Sequence, residues 1–430
     1  MAEKEQAMRS HENSMDLASL SLRPNIESPP PSPTGSAVSE SSTVEWNHVP
    51  FTDFQAQVLE LGLEILNDST RSSIEIERLR GGGENRVIGL KLTKPATFQQ
   101  PSVVDNYVLR IPRRICDADF PHTMAQLDFA ARVSSIPVPK TIKVECSKEN
   151  PIQSPYLLQE RIPGQSLLDA WPDFNLSQKL SVTRQIATLF QSIRAFPVSR
   201  GGIPDPKKEL LPWPHQPPIL RYPQCNSSGE SLTGPASTAL FQSPTDMLQS
   251  RLDVWMERDI KHRKPLWEML SQGFKNLNAT TGLFESEFYW YHGDFQPRNL
   301  LVAVISEEEV KITGVLDWDN SHFAPAVVAF EPPCWLWMQD YWKDASDPTP
   351  DGTEWYMTEA MLCEKAGLIP TNDDDKQIKE CFEEYLQSPY VLKFAYANHA
   401  VDARRLYKMV LDGLTDQDVG EVAVKICERH

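Results

Sequence analysis

One run of the chain restricts its fold more than any other. His292-Gly293-Asp294-Phe295-Gln296-Pro297-Arg298-Asn299 leads into the apolar Leu300-Leu301-Val302. An acidic turn, Ser306-Glu307-Glu308-Glu309, precedes a second apolar strand from Val310 to Leu316, which delivers Asp317-Trp318-Asp319. The pattern predicts a hairpin with one polar loop entering it and another leaving it. Asp294 and Asn299 stand five residues apart on the entering loop. Phosphoryl transfer needs a carboxylate to orient the attacking hydroxyl and accept its proton, and oxygen ligands for magnesium at the phosphates. Asp294 suits the first role, and Asn299 with Asp317 suits the second, because hard Mg²⁺ takes one or two carboxylates plus phosphate oxygens. An HGD tripeptide alone is common by chance. HGDxxxxN, a hairpin and then DxD form a specific combination.

The rest of the chain is compatible with such a site. Its 430 residues leave room for two or three domains, at roughly 100–200 residues each. Hydrophobic residues make up 40% and charged residues 23%, as in ordinary soluble globular proteins. The net charge of −17 argues against a nucleic-acid binder, which would show a basic patch, and leaves room for a cationic substrate. No apolar run approaches the ~20 residues of a membrane span. Seven scattered cysteines without CxxC or metal-ligand spacing point to a reduced compartment and hence a cytoplasmic protein. The opening MAEKEQAMRSHENSM lacks the apolar core of a secretory signal.

Composition also divides the chain. Residues 1–48 carry ten serines and five prolines and almost no aromatics, which predicts a disordered tail. A first lobe is predicted over 49–164. Phe54, Val58, Leu61 and Ile65 mark one helix face, and strands are expected around 74–76, 87–92, 107–111, 140–145 and 155–161. A helix near 120–134 stops at Ile136-Pro137-Val138-Pro139. The second lobe, 165–430, reads as mainly helical. Asn175 caps a helix to 195, an irregular insertion rich in Pro, Gly and Ser spans 200–244, and a further helix covers 246–277. The fold class is α+β, a small antiparallel β-rich lobe followed by a larger helical one.

HGDFQPRN with VLDWD resembles the aminoglycoside phosphotransferase and choline kinase group, whose fold is protein-kinase-like. Tyr-Val-Leu-Arg-Ile-Pro at 107–112, Ile-Pro-Val-Pro at 136–139, Gln-Glu-Arg-Ile-Pro-Gly at 159–164 and Pro-Pro-Cys-Trp-Leu-Trp at 332–337 are most similar to its largely uncharacterised fungal branch. The resemblance implies Asp294 as catalytic base, Asn299 and Asp317 as metal ligands, and His292 as the brace of the catalytic loop. It implies a hinge at Gln159, Glu160 and Ile162 whose backbone meets the adenine. Asp319 stands where the group has a second acid, with no role assigned. Arg110 occupies the place of the third-strand lysine, where a guanidinium can hold phosphate. The acidic partner expected on the following helix is not evident. His122 and Thr123 fall nearest the matching position, with Asp119 and Asp128 on either side.

Gly81-Gly82-Gly83-Glu84-Asn85 joins the first two strands. Upstream of a kinase-like site these glycines and Asn85 are expected to cover the phosphates, since backbone amides approach closely where no side chain intervenes. No GK[ST] follows, so this is not a Walker loop. Trp290, Trp318, Trp335, Trp337, Trp342 and Trp355, with Asp340, Asp344, Asp347 and Asp351 nearby, could hold a cationic amine; core packing is the simpler expectation for them. The implied activity is ATP- and Mg²⁺-dependent phosphorylation of a small-molecule hydroxyl. The replaced lysine keeps open an alternative, a weak or inactive nucleotide-binding scaffold. Protein kinase activity ranks last: Gln296 stands where such enzymes carry a basic residue, DWD replaces DFG, and no APE-like segment follows.

Overall fold

The computed structural model describes residues 49–66, 73–79, 85–96, 101–113, 120–207, 219–220, 243–258, 263–338, 370, 372–397 and 399–414. The tail at 1–48, Gly81 to Gly83, Trp342, Trp355 and the aspartates 340–351 lie outside them.

The first lobe is an antiparallel sheet backed by a helix. Its strands are β1 (Ser73–Arg78), β2 (Asn85–Lys94), β3 (Val103–Pro112), β4 (Thr141–Glu145) and β5 (Tyr156–Glu160), in the order β1-β2-β3-β5-β4. Alternation assigns the two faces. Ile88, Leu90, Leu109, Ile111, Tyr156 and Leu158 point one way and meet Phe54, Val58 and Leu61 of helix α1 (Phe51–Ile65). Arg86 fixes the start of that helix: its guanidinium lies 4.4 Å from the Phe54 ring centre and donates to the Val49 carbonyl at 2.9 Å. The opposite face carries Arg110, with Leu157 and Val87 directly across from it. Leu157 joins the main core together with Phe120, Leu127 and Phe129 of helix α2 (Phe120–Val133).

The second lobe is mainly helical. β6 (Gln165–Ser166) pairs with β10 (Leu300–Val304), which forms the expected hairpin with β11 (Val310–Val315). Helix α3 (Leu176–Arg194) opens on a reciprocal cap: Asn175 accepts from the Gln178 amide at 3.0 Å, and the Gln178 side chain accepts from the Asn175 amide at 3.1 Å. Val182, Ile186, Leu189 and Ile193 are its buried face, as their spacing predicts. The single helix expected over 246–277 is two, α4 (Pro244–Arg258) and α5 (Lys264–Thr281). Pro265 in the first turn of α5 lacks the N–H that a continuous helix would need there. α6 (Asp373–Leu386), α7 (Pro389–Ala395) and α8 (Ala400–Asp412) complete the described helical packing.

Two further differences bear on the site. β9 (Phe288–Tyr291) does not join the β10–β11 hairpin; it pairs with β12 (His322–Pro325), beyond the DWD segment. In the insertion expected at 200–244, β7 (Ile203–Pro204) pairs with β8 (Ile219–Leu220), Ile203 and Asp205 are buried, and Gly202 exchanges backbone bonds with Phe323, so its first residues belong to the core. The architecture is thus α+β and bilobal, with a small antiparallel sheet lobe and a larger helical one.

Candidate functional site

The His292–Asn299 loop hangs between β9 and β10. His292 is 2% exposed and braces both loops at once. Its Nε2–H donates to the Leu316 carbonyl at 2.9 Å, and its Nδ1 accepts from the Asp294 amide at 3.2 Å. Accepting at Nδ1 requires the neutral ring, and burial pushes its pKa down to about 4. The Leu316 amide donates to the Asn299 carbonyl at 2.8 Å, which sets Asn299 one residue away from Asp317 across the hairpin mouth. Gly293 stands at φ +85°, and a Cβ there would run into the Asn320 carbonyl oxygen, so only glycine lets the two loops approach this closely.

Asp294 is held from two sides. Asn299 Nδ2 donates to its Oδ2 and to its backbone carbonyl, both at 2.9 Å. Arg298 Nη2 reaches Oδ1 at 2.6 Å and Oδ2 at 2.9 Å. Because Asn299 spends its amide nitrogen on Asp294, its oxygen remains the atom available to a cation. Asp317, at φ +62° and ψ +54°, occupies a left-handed conformation that aspartate tolerates better than most residues. Its side chain is 41% exposed. An amide oxygen plus a carboxylate is a donor set that fits Mg²⁺ arriving with phosphate oxygens.

Arg110 enters the same cleft from the sheet lobe. It forms a two-pronged ion pair with Asp319, through Nη1–Oδ1 at 3.0 Å and Nη2–Oδ2, and its Nη2 lies 3.4 Å from Asp317. Among the described residues, the acids that meet Arg110 come from the DWD segment rather than from α2, and Asp119 lies outside those residues. Asp128 is exposed on α2, while Gln126 of that helix donates to the Asp319 and Ser321 carbonyls at 2.9 and 2.7 Å. The sequence marked Arg110 and left Asp319 unassigned; neither Gln126 nor Arg298 stood out. A polar residue on a helix face or inside a loop gives no sign of its partner until the chain is folded.

At the expected hinge, the Glu160 and Arg161 amides donate to the Lys140 and Asn106 carbonyls, both at 2.9 Å. Gln159 is 3% exposed and lies opposite Val108, on the sheet face that also carries Arg110. Its Nε2 is buried without a hydrogen-bond partner. Asn85 begins β2, beside the glycines outside the described residues. The tryptophans 290, 318, 335 and 337 are core residues, each at most 4% exposed. Trp318 packs 4.5 Å from the His292 ring, and Trp335 donates to the Phe295 carbonyl at 3.0 Å, so they stiffen the loop from beneath.

A subtelomeric hrmA-associated cluster protein of Aspergillus fumigatus, found in two strains, is 28% identical over 170 residues, 39% of this chain. The chain spans about 30% of the length of those curated relatives. Among solved structures, the aminoglycoside phosphotransferase APH(4)-Ia is 16% identical over 87% of this chain and 97% of its own, with a TM-score of 0.44. The streptomycin–ATP complex of APH(2")-IIa is 11% identical over 89% and 97%, with a TM-score of 0.45. The model of the phosphotransferase enzyme family, APH, matches residues 75–355, more than half of the chain and all of the cleft just described. Because that match covers more than half of its length, the chain belongs to the phosphotransferase enzyme family.

Proposed function

We propose that the protein transfers the terminal phosphoryl group of ATP, as its Mg²⁺ complex, to a hydroxyl of a small molecule. The observation that carries this reading is the fixed carboxylate of Asp294, held by Asn299 and Arg298 beside a second loop that presents Asp317. Asp294 accepts a hydrogen bond from the acceptor hydroxyl and takes its proton as the oxygen attacks phosphorus and the bond to the ADP oxygen breaks. When bound, Mg²⁺ supplies charge neutralisation at the phosphate oxygens, and Asn299 with Asp317 would hold it. Little covalent chemistry is asked of the protein in such a transfer; positioning and electrostatics supply most of the rate. His292, neutral and buried, keeps the two loops in register.

The nucleotide base fits the hinge through Gln159, whose buried Nε2 lacks a partner that a purine could provide. With the Glu160 and Arg161 amides engaged by the Lys140 and Asn106 carbonyls, the backbone donor to the base in this segment would be the Ile162 amide. Arg110 and the glycine turn would meet the phosphates.

The test is incubation of purified protein with Mg·ATP and fractionated metabolite extracts, followed by mass spectrometry. A product heavier by one phosphate, absent with Asp294→Asn, is the expected result. A protein that binds Mg·ATP yet transfers phosphate neither to any fraction nor to water would favour the scaffold reading instead.

A further inference from the structure

Arg110 brings a positive charge into the cleft while only 12% exposed. A cation that deep is costly unless a counter-charge meets it with good geometry. In kinase-like sites the third-strand cation is held by an acid on the following helix. Here α2 offers the exposed Asp128 and, facing the site, Gln126. The counter-charge comes instead from across the cleft. Asp319 turns both carboxylate oxygens to the two terminal nitrogens of Arg110, the planar match that guanidinium and carboxylate make best. Gln126, 4% exposed, clamps the same segment by donating to the Asp319 and Ser321 carbonyls. Asp317 differs on each point. It meets Arg110 through one oxygen at 3.4 Å and is twice as exposed as Asp319, at 41% against 19%.

We infer that the two acids of DWD have separate duties: Asp317 faces the metal, and Asp319 is the positioning residue for Arg110. Gln126 is the tether by which α2 controls that pair. The usual helix-to-strand ion pair is thereby rebuilt between the lobes, so that closure of the cleft and orientation of the phosphate-binding cation become one event. The inference rests on the phosphotransfer reading of the same cleft.

The experiment is a cycle of Arg110→Ala, Asp319→Asn and the double variant, read as Mg·ATP hydrolysis across Mg²⁺ concentrations and as melting temperature. Asp319→Asn is expected to lower turnover about tenfold, with the Mg²⁺ concentration for half-maximal rate unchanged. Added to Arg110→Ala, it should cost less than about twofold more, because the group it positions is already gone. Asp319→Glu should recover part of the rate. Full additivity, or a raised Mg²⁺ requirement in Asp319→Asn, would overturn the inference and make Asp319 a metal ligand. If the wild-type protein transfers phosphate neither to water nor to any metabolite fraction, the phosphotransfer reading fails, and the melting temperatures still decide the pair. Coupled losses sustain it and additive losses overturn it.

Discussion

Asp294 has both carboxylate oxygens occupied before any substrate arrives, by Arg298 and Asn299. Its position is therefore fixed by the loop itself and does not wait for an acceptor. Asp294→Asn keeps that shape but cannot take a proton. Turnover should fall by at least about 100-fold, the lower range for a general base, while Mg·ATP affinity and melting temperature stay near wild type. Parallel loss of stability would make Asp294 a structural residue. Arg298 makes the complementary case. Its side chain is 49% exposed and pairs with a residue four positions earlier, so its removal should cost less than about 1 kcal/mol of stability. Turnover of Arg298→Ala should nevertheless drop about tenfold, with partial recovery in Arg298→Lys, since one of the two holds on the base is lost. Wild-type turnover in Arg298→Ala would show that Asn299 alone suffices.

At the scale of elements, two contacts join parts of the chain that sequence keeps apart. Gly293 and Asn320 bring the His292–Asn299 loop against the DWD segment. Gly293→Ala combines a disfavoured φ of +85° with a clash on backbone, which side-chain movement cannot relieve. It should destabilise by about 1–3 kcal/mol and reduce turnover with it, read by melting temperature and rate on the same sample. Helix α1 lies before residue 75, where the family match begins, yet it closes the back of the sheet with Phe54, Val58 and Leu61. Leu61 is 1% exposed, and Leu61→Ala should cost about 2–5 kcal/mol while leaving turnover at permissive temperature unchanged. A small shift in denaturation midpoint would mean that the sheet does not depend on α1.

The whole molecule should lose stability in mild acid. His322 is buried between the Asn320 carbonyl, to which its Nδ1–H donates at 2.8 Å, and the Tyr407 hydroxyl 2.9 Å from its Nε2. Burial lowers its pKa to about 4, and His292 has the same value for the same reason. The unfolded chain, with histidines near 6.5, binds protons more readily than the folded one between these limits. Stability is thus full above about pH 6.5 and declines as pH falls towards 4, by on the order of 3 kcal/mol for each histidine. Melting temperatures from pH 7.5 to 4.5 should show the decline, and His322→Gln should flatten it. An unchanged slope would show that His322 does not contribute.

Sequence by itself was enough for most of the elements and for marking the polar residues of the loop. The 3.6-residue spacing of Phe54, Val58, Leu61 and Ile65, the alternation in the strands and the cap at Asn175 are local signals, because each follows from geometry within a few residues. HGDxxxxN and DWD carried the family for the same reason: the residues that make the motif lie on contiguous segments. The break between α4 and α5 was legible only as Pro265, and the pairing of β9 with β12 was not legible at all, since it joins residues some thirty positions apart. Tertiary structure alone decided what Arg110 pairs with, that Gln126 rather than an acid represents α2, that Arg298 turns onto Asp294, and that the tryptophans are core. Each of those depends on where a polar or aromatic group finds its partner once solvent is excluded, and only the packed chain brings the partners together.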